Sequence, residues 1–223
     1  MTFSIVARSA DAQFFGVAIA SSSPAVAARC AFARAGSGAV ATQNITDPRL
    51  GPAVLEAMGA GASAGAALGG ALAGTPYAAY RQVLAVGASG LPAVHSGERA
   101  LGVVSAAAGE RAAAAGNLLC GAAVPGAMLA AFETAQGHFG ERLLRALEAG
   151  LAQGGEAGPI HSAGLLVVRE VSWPIVDLRV DWSANPLGGL RQVWEIYAPQ
   201  IDAYVQRAVD PRGAPGFGVP GDP

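Results

Sequence analysis

The hydrophobic pattern is most regular at the start of the chain, where two short apolar runs flank a polar turn. The runs cover residues 1–8 and 14–21 and are rich in β-branched and aromatic residues, and the polar residues 9–13 lie between them. This arrangement predicts a β-hairpin that begins at the second residue of the chain.

Further along the chain, apolar positions recur with either strand-like or helix-like spacing. Strands are predicted at residues 36–42, 82–86, 92–96, 111–119, 162–168 and 175–180. Helices are predicted at residues 52–59 and 63–72, in two amphipathic stretches after Pro125 that break near Gly137, and at residues 189–209, where Pro199 should kink or split the helix.

Strands that are grouped separately from pairs of helices predict an α+β domain with antiparallel sheets. A chain of 223 residues suits one such domain, long enough to bury a substantial core. We expect this domain to cover residues 1–209. The Pro/Gly-rich residues 210–223 are expected to form a C-terminal tail.

The composition excludes several classes of function. Charged residues make up 13% of the chain, and the net charge of −2 gives no electrostatic footprint for nucleic acid or an anionic membrane. The chain has no lysine, which excludes Schiff-base chemistry, a serine–lysine dyad and a phosphate-loop lysine. Residues 57–80 carry no charge, but they contain few large aliphatic side chains, which favours a closely packed helix pair over a membrane span.

The cysteine pattern indicates a reducing compartment. Cys30 and Cys120 lie far apart among apolar neighbours, which favours free thiols over a disulfide or a metal site. The first residues do not form a basic region followed by an unbroken apolar core, so no signal peptide is predicted. We therefore expect a cytoplasmic protein.

The main candidate for chemistry is Thr2. A small penultimate residue allows aminopeptidases to remove Met1, and Thr2 would then carry a free α-amine beside its own hydroxyl. An α-amine has a pKa near ~8, so a large minority of it is neutral and basic at pH 7. Threonine paired with its own terminal amine is a recognised form of activated nucleophile. Many chains begin with Met-Thr without such a role, so the residues alone leave both interpretations open.

A resemblance to a known family adds to this interpretation. The motifs that carry it are residues 2–8 (TFSIVAR), 33–43 (ARAGSGAVATQ), 116–119 (GNLL), 162–165 (SAGL), 177–181 (DLRVD) and 216–222 (GFGVPGD). These motifs resemble the domain-of-unknown-function family 1028, whose members are thought to share the N-terminal-nucleophile hydrolase fold. The resemblance implies a four-layer αββα sandwich of antiparallel sheets, with the nucleophile on the first strand at Thr2.

One segment departs from the pattern of that family. Before the strand that begins with Ser162-Ala163, the family usually shows Gly-Asp-x-Arg-Gly-x-Gln, whereas this chain has GEAGPIH at residues 155–161. The acid is kept as Glu156, glycine replaces the arginine at Gly158, and histidine replaces the glutamine at His161. If this loop shapes the site, Glu156 and His161 are candidates for substrate binding. The substrate then differs from that of other members, or the activity is reduced.

Acyl transfer also needs donors for the oxyanion and a charge that tunes the amine. Asn117, which follows Gly116 at a predicted strand end, is a candidate oxyanion donor, and a turn-forming asparagine is the alternative. Arg29 and Arg34 are candidates for a cation that lowers the pKa of the amine. A surface or helix-capping role is equally compatible with each arginine.

The remaining candidates are expected to bind substrate. Gln43 and Asn44 could bind a substrate amide or close a loop. His95 could contact the substrate or transfer a proton, although single histidines more often form structural hydrogen bonds. No Gly-x-Ser-x-Gly, His-Glu-x-x-His or Cys-x-x-Cys motif is present, so no serine triad, metal or cofactor is predicted.

The sequence thus favours a hydrolase that cuts a small-molecule amide or a related C–N bond, with Thr2 as nucleophile and its α-amine as base. The alternative is a non-catalytic binding or assembly protein that keeps the fold and has a decayed site, as the altered loop at residues 155–161 suggests. A homo-oligomer is expected from the resemblance, because N-terminal-nucleophile folds often associate.

Overall fold

The computed structural model describes residues 1–219 of the chain. Its strands, in chain order, are β1 (Thr2–Arg8), β2 (Phe15–Ser21), β3 (Ala31–Arg34), β4 (Gly38–Asn44), β5 (Arg81–Gly87), β6 (Ala93–Ser96), β7 (Ser105–Ala108), β8 (Ala112–Asn117), β9 (Ser162–Val168) and β10 (Val176–Val180). Its α-helices are α1 (Val26–Cys30), α2 (Leu50–Gly59), α3 (Ala64–Ala73), α4 (Val124–Thr134), α5 (Phe139–Ala152), α6 (Pro186–Tyr197) and α7 (Ile201–Val209).

The strands form two sheets in which every pairing is antiparallel. The larger sheet has the order β10-β9-β2-β1-β8-β7, and the smaller has the order β3-β4-β5-β6. The first strand of the chain therefore lies in the middle of the larger sheet, where it pairs with β2 on one side and β8 on the other. The chain is a mixed α+β protein with two antiparallel sheets, as the grouping of its apolar runs predicts.

The alternation of side chains along β1 divides the core. Phe3 and Ile5 are fully buried against α4 and α5, in a cluster that also includes Leu190 and Trp194 of α6. Val6, on the opposite face of the strand, packs with Leu84 and other residues of the smaller sheet. A strand that is buried on both faces has no solvent side, and for this reason β1 is almost continuously apolar.

The smaller sheet has a separate apolar cluster on its outer face. Val40 of β4 and Val83 of β5 pack there against Val54 of α2 and Leu68 of α3. Ser63 caps α3 by accepting a hydrogen bond from the backbone N–H of Ala66 at 3.2 Å. Among residues 1–219, none of the helices combines the length and the apolar character that crossing a bilayer requires.

Most predicted elements are confirmed, with shifts of one to three residues at their ends. The hairpin at the start of the chain, the helix pair after Pro125 and the pairing of β9 with β10 all form. Pro199 lies in a 3-10 turn, Ala198–Gln200, that separates α6 from α7. Short β7, with the sequence SAAA, was not predicted, and neither were the one-turn helix α1 and the four-residue strand β3.

The C-terminal residues that the structure describes lie against α7. The guanidinium of Arg207 donates hydrogen bonds to the carbonyl oxygens of Pro215 and Gly216 and lies 3.8 Å from the centre of the Phe217 ring. Residues 220–222 of the family motif GFGVPGD lie outside the described residues, and the division of the chain at residue 210 stays a prediction.

Close approach between α1 and β9 gives a direct test of this packing. A Cβ atom on Gly164 would lie 2.4 Å from the Cβ of Ala27. Gly164→Ala should therefore lower the free energy of unfolding by about 1–3 kcal/mol through overpacking. Gly69→Ala, at an exposed position of α3 where the new methyl group would meet nothing within 4 Å, should raise it by about 0.5–1 kcal/mol. Urea denaturation of both variants measures the two effects, and equal effects would contradict the close approach.

Candidate functional site

Thr2 lies at the beginning of the central strand β1, between two polar neighbours. It pairs with Ser21 at the end of β2 and with Asn117 at the end of β8. All three side chains are buried, and Thr2 is 6% exposed. Strand alternation places the side chain of Thr2 on the face that packs against the smaller sheet, because Ser4 and Val6 contact that sheet.

Two hydroxyl groups meet at one carbonyl oxygen beside Thr2. The Oγ1 of Thr2 and the Oγ of Ser21 each donate a hydrogen bond of 2.5 Å to the carbonyl oxygen of Met1, and the two hydroxyl oxygens lie 3.2 Å apart. The backbone N–H of Ser23 donates to Ser21 Oγ at 3.1 Å, which leaves the proton of that hydroxyl for the carbonyl. Ser21 was not among the sequence candidates, although the register of the hairpin pairs it with Thr2.

The side of β1 to which the backbone nitrogen of Thr2 points follows from the backbone hydrogen bonds between β1 and β8. At the other end of β1, the backbone N–H of Arg8 donates to the carbonyl oxygen of Arg111 at 2.9 Å. In an antiparallel pair such bonds recur at every second residue, and the register continues without interruption to Thr2. The nitrogen of Thr2 therefore points towards β8 and Asn117.

A buried chain of polar side chains lies between the two sheets below this point. Ser4 Oγ donates to Gln43 Oε1 at 2.7 Å, and Gln43 Nε2 donates to Gln82 Oε1 at 2.8 Å. The two glutamines also donate to backbone carbonyls of β8, Gln43 to Ala115 at 3.2 Å and Gln82 to Gly116 at 3.1 Å. Because a carbonyl oxygen can only accept, these two bonds determine which way each glutamine amide faces.

The orientation of the Asn117 side-chain amide follows from these hydrogen bonds. Its Nδ2 donates to Gln82 Oε1 at 3.1 Å, and its Oδ1 is buried without a hydrogen-bond partner. An acceptor left in this state is unusual in a folded protein. Asn117 therefore offers an acceptor to the site, whereas its donor group is already engaged by Gln82.

A loop that we call the strap, residues 154–161, crosses the end of the larger sheet. At one end the backbone N–H of Ala157 donates to the carbonyl oxygen of Leu118, just after β8, at 2.9 Å. At the other end the backbone N–H of His161 donates to the carbonyl oxygen of Ser21, the last residue of β2, at 2.8 Å. Since β1 lies between β8 and β2, the strap passes over Met1 and Thr2. A Cβ atom on Gly158 would lie 3.3 Å from the Cε of Met1, so the Met1 side chain lies against the strap.

Glu156 is the acidic group of the strap. It is 4% exposed, and both of its carboxylate oxygens accept from the backbone N–H of Ser22, at 3.0 and 3.2 Å. Burial raises its pKa from 4.5 to about 7, although the positive α-amine of Met1 and the hydrogen bonds from Ser22 act in the opposite direction. The carboxylate lies at the β2 side of β1, away from the side to which the Thr2 nitrogen points.

Among residues 1–219, neither of the two candidate arginines forms a hydrogen bond with Thr2. The guanidinium of Arg29, in the last turn of α1, donates to the carbonyl oxygens of Pro24 and Ala25. Arg34 lines an open cavity of about 710 Å³ together with Trp173 and Arg179.

The other polar candidates have local partners. The Nδ2 of Asn44 donates to the carbonyl of Tyr80 at 2.6 Å, and its positive φ of 70° places it in a turn at the end of β4. The Nε2 of His95 lies 2.9 Å from the carbonyl oxygen of Ala78. His161 stacks on Trp182 at 4.3 Å between ring centres. Thr2, Asn117, Gln43 and Glu156 are thus the predicted residues that come together, the last two through the polar chain and the strap.

No group of three histidine, cysteine, aspartate or glutamate side chains in residues 1–219 is arranged to hold a metal ion. The fold and the site define an α+β protein with two antiparallel sheets and a buried threonine at the start of the central strand.

The sequence model of a family of unknown function, DUF1028, matches residues 2–190, and the chain belongs to this family. The crystal structure of protein SPO2555 from Silicibacter pomeroyi, described by the same family name, has 29% sequence identity to the chain and a TM-score of 0.82. The similarity covers 90% of this chain and 93% of that chain, so the two proteins share their fold over nearly their whole lengths. No match was found among proteins with curated descriptions.

The raised pKa of Glu156 predicts a pH dependence of stability. An acid whose pKa is higher in the folded state favours folding in its protonated form, so this contribution is complete below pH ~4.5 and is lost as the pH rises through about 7. Glu156→Gln, which stays neutral, should therefore gain stability relative to the wild type between pH 5 and pH 8. Chemical denaturation at both pH values measures this difference. Glu195→Gln, at an exposed position of α6, serves as control and should keep the wild-type difference.

Proposed function

We propose that the chain is an N-terminal-nucleophile amidohydrolase with a four-layer αββα sandwich, in which loss of Met1 exposes Thr2 as the nucleophile. The architecture is supported by packing, since apolar clusters with helices cover the outer face of each sheet and a third cluster joins the sheets. The proposed substrate is a small-molecule amide or a related C–N bond.

The observation that carries the proposal is the pair of hydroxyls on the Met1 carbonyl oxygen. A nucleophile and a second hydroxyl donor already converge on an acyl oxygen, both at 2.5 Å. A tetrahedral intermediate needs a donor near the oxygen that becomes negative. Ser21 is proposed to supply it, because its Oγ accepts from the backbone N–H of Ser23, which leaves its proton for the acyl oxygen.

The first half of the reaction forms an ester. Thr2 Oγ1 attacks the carbonyl carbon of the amide, and its proton passes to the neutral α-amine of Thr2. The carbonyl oxygen becomes an oxyanion that accepts from Ser21. When the intermediate collapses, the C–N bond breaks, and the leaving nitrogen takes the proton back from the α-ammonium.

The second half regenerates the enzyme. A water molecule adds to the ester carbonyl and gives a proton to the α-amine. The C–O bond to Thr2 then breaks, and Thr2 Oγ1 recovers the proton. The products are a carboxylic acid and an amine, and one water molecule is consumed.

Asn117 is proposed to position the α-amine. The nitrogen of Thr2 points to β8, where Thr2 is paired with Asn117, and the Oδ1 of Asn117 is buried without a hydrogen-bond partner. A neutral amine has two hydrogens and one lone pair. If an acceptor holds a hydrogen on the β8 side, the lone pair is left to face the hydroxyl, which lies towards Ser21 on β2.

A second candidate function is that of a non-catalytic binding protein. The observation that favours it is the cover over Thr2, which Met1 and the strap leave only 6% exposed. In such a protein Met1 would be retained, and the hydroxyl pair would only stabilise the start of β1.

The nucleophile can be tested with purified protein. Intact-mass spectrometry should show loss of Met1, and turnover of a library of small amides should fall at least about 10³-fold in Thr2→Ala, because the nucleophile is removed. Alanine is also small, so Met1 removal is preserved in the variant. Thr2→Ser should keep part of the activity, and Thr134→Ala, at an exposed helix end, should keep all of it. Retained Met1 or undiminished turnover in Thr2→Ala would favour the binding protein.

The proposed oxyanion donor has a separate test. Ser21→Ala should lower kcat about 10²–10³-fold with little change in KM, because the lost hydrogen bond acts mainly on the intermediate. Ser23→Ala is the matched control, since only its backbone contacts Ser21 and Ser162. A parallel loss in both variants would indicate disturbance of the loop and would contradict a specific role of the Ser21 hydroxyl.

A further inference from the structure

Met1 occupies the space beside the Thr2 and Ser21 hydroxyls. Its carbonyl oxygen lies against the hydroxyls of Thr2 and Ser21, and the end of its side chain lies against Gly158 of the strap. Met1 is itself an α-aminoacyl group in amide linkage to the Thr2 nitrogen. The structure therefore contains an aminoacyl group whose acyl oxygen meets the proposed nucleophile.

The walls of this space are provided by the ends of three strands and by the strap. The strap is bonded to the chain after β8 and to the end of β2, so it encloses the place of Met1 from both sides of β1. Removal of Met1 would leave a space of the size of one residue with an unbranched apolar side chain. Gly158 has no side chain that could fill it.

The space has an acidic side chain beside it, Glu156, which has no arginine or histidine as a partner among residues 1–219. Glu156 is almost fully buried. Its carboxylate is held by Ser22 on the β2 side, whereas the Thr2 nitrogen faces β8. A buried carboxylate is costly unless a cation or strong donors compensate it, so a ligand that brings an ammonium group is favoured here.

We infer that the space occupied by Met1 is the acyl subsite of the mature protein, and that it takes an α-aminoacyl amide whose free ammonium group is bound by Glu156 and whose unbranched apolar side chain lies against Gly158. This inference rests on the proposed function and specifies its substrate class. The acyl oxygen of the ligand accepts hydrogen bonds from Thr2 and Ser21, as the Met1 carbonyl oxygen does, and its acyl carbon lies in contact with the Thr2 nitrogen that was bonded to Met1.

Binding can be measured apart from turnover. The probe is L-methioninamide, and the comparison compounds are its des-amino analogue, 4-(methylthio)butanamide, and N-acetyl-L-methioninamide. Isothermal titration calorimetry uses Thr2→Ala protein from which Met1 has been removed, as verified by intact mass, so that no hydrolysis occurs. L-methioninamide should bind at least about tenfold more tightly than either compound that lacks the ammonium group.

Two variants test whether residues of the strap cause the preference for the ammonium group. In the same Thr2→Ala background, Glu156→Gln should abolish the preference for the ammonium group, whereas Glu195→Gln should preserve it. Gly158→Leu should weaken binding of all three compounds, because its side chain fills the space in which the Met1 side chain lies. Circular dichroism confirms folding of each variant, and the comparison of the three compounds on the Thr2→Ala protein does not depend on the two strap variants.

The outcomes distinguish failure of the subsite inference from failure of the hydrolase proposal. Equal binding of the three compounds, tighter binding of a compound without the ammonium group, or no binding at millimolar concentration would overturn the inference, even if Thr2-dependent turnover of other amides is found. A preference for the ammonium group that depends on Glu156 supports the inference. If this preference is found without Thr2-dependent turnover of L-methioninamide, the subsite is retained and the hydrolase proposal fails.

Discussion

The position of β1 in the middle of the larger sheet is the constraint on which the remaining geometry depends. The strand begins at the second residue and is paired over its whole length on both sides. A strand held in this way cannot rotate or slip without turning its side chains to the wrong face. The apolar residues Phe3 and Ile5 are directed to the helices, and so Thr2 and Ser4 must enter the space between the sheets. The same pairing brings Ser21 and Asn117 to the two sides of Thr2.

A polar layer inside the core is the consequence of this arrangement. Each buried polar group that lacks a partner costs about 1–3 kcal/mol, and the fold avoids this cost at Ser4, Gln43 and Gln82 by linking them to one another and to carbonyls of β8. The chain of bonds ends at Asn117, whose Oδ1 is left unpaired beside the start of β1. Since the described polar groups of Ser4, Gln43 and Gln82 all have partners, the unsatisfied acceptor in this chain of hydrogen bonds is confined to Asn117.

Most of the fold could be predicted from the local spacing of apolar residues, caps and prolines in the sequence, whereas little of the candidate site could. The β1–β2 hairpin, the capped helix α3 and the break at Pro199 follow from spacing, caps and backbone chemistry within about twenty residues. Short β7 carries only serine and alanine, whose strand preference is weak, and it forms because β8 lies beside it. The site depends on contacts between distant residues, such as Gln82 with Asn117 and Glu156 with Ser22, and a single sequence contains no sign of these pairings. Ser21 lies at the end of the second run of the predicted hairpin, and the observed register of that hairpin pairs it with Thr2.

The carboxyl groups of Glu141 and Glu156 show how differently the fold compensates two acidic side chains that are withdrawn from solvent. Burial alone would raise the pKa of Glu141, but hydrogen bonds from Arg191 and Arg145 bring it below its usual value, and the three groups join α5 to α6. Glu156 is more deeply buried, and among residues 1–219 it receives hydrogen bonds only from Ser22, so burial raises its pKa instead. Arginine thus compensates the half-buried Glu141, whereas no arginine or histidine of the described residues pairs with Glu156. Because the positive group nearest to Glu156 belongs to Met1, the same position would be open to the ammonium group of a ligand once Met1 has left.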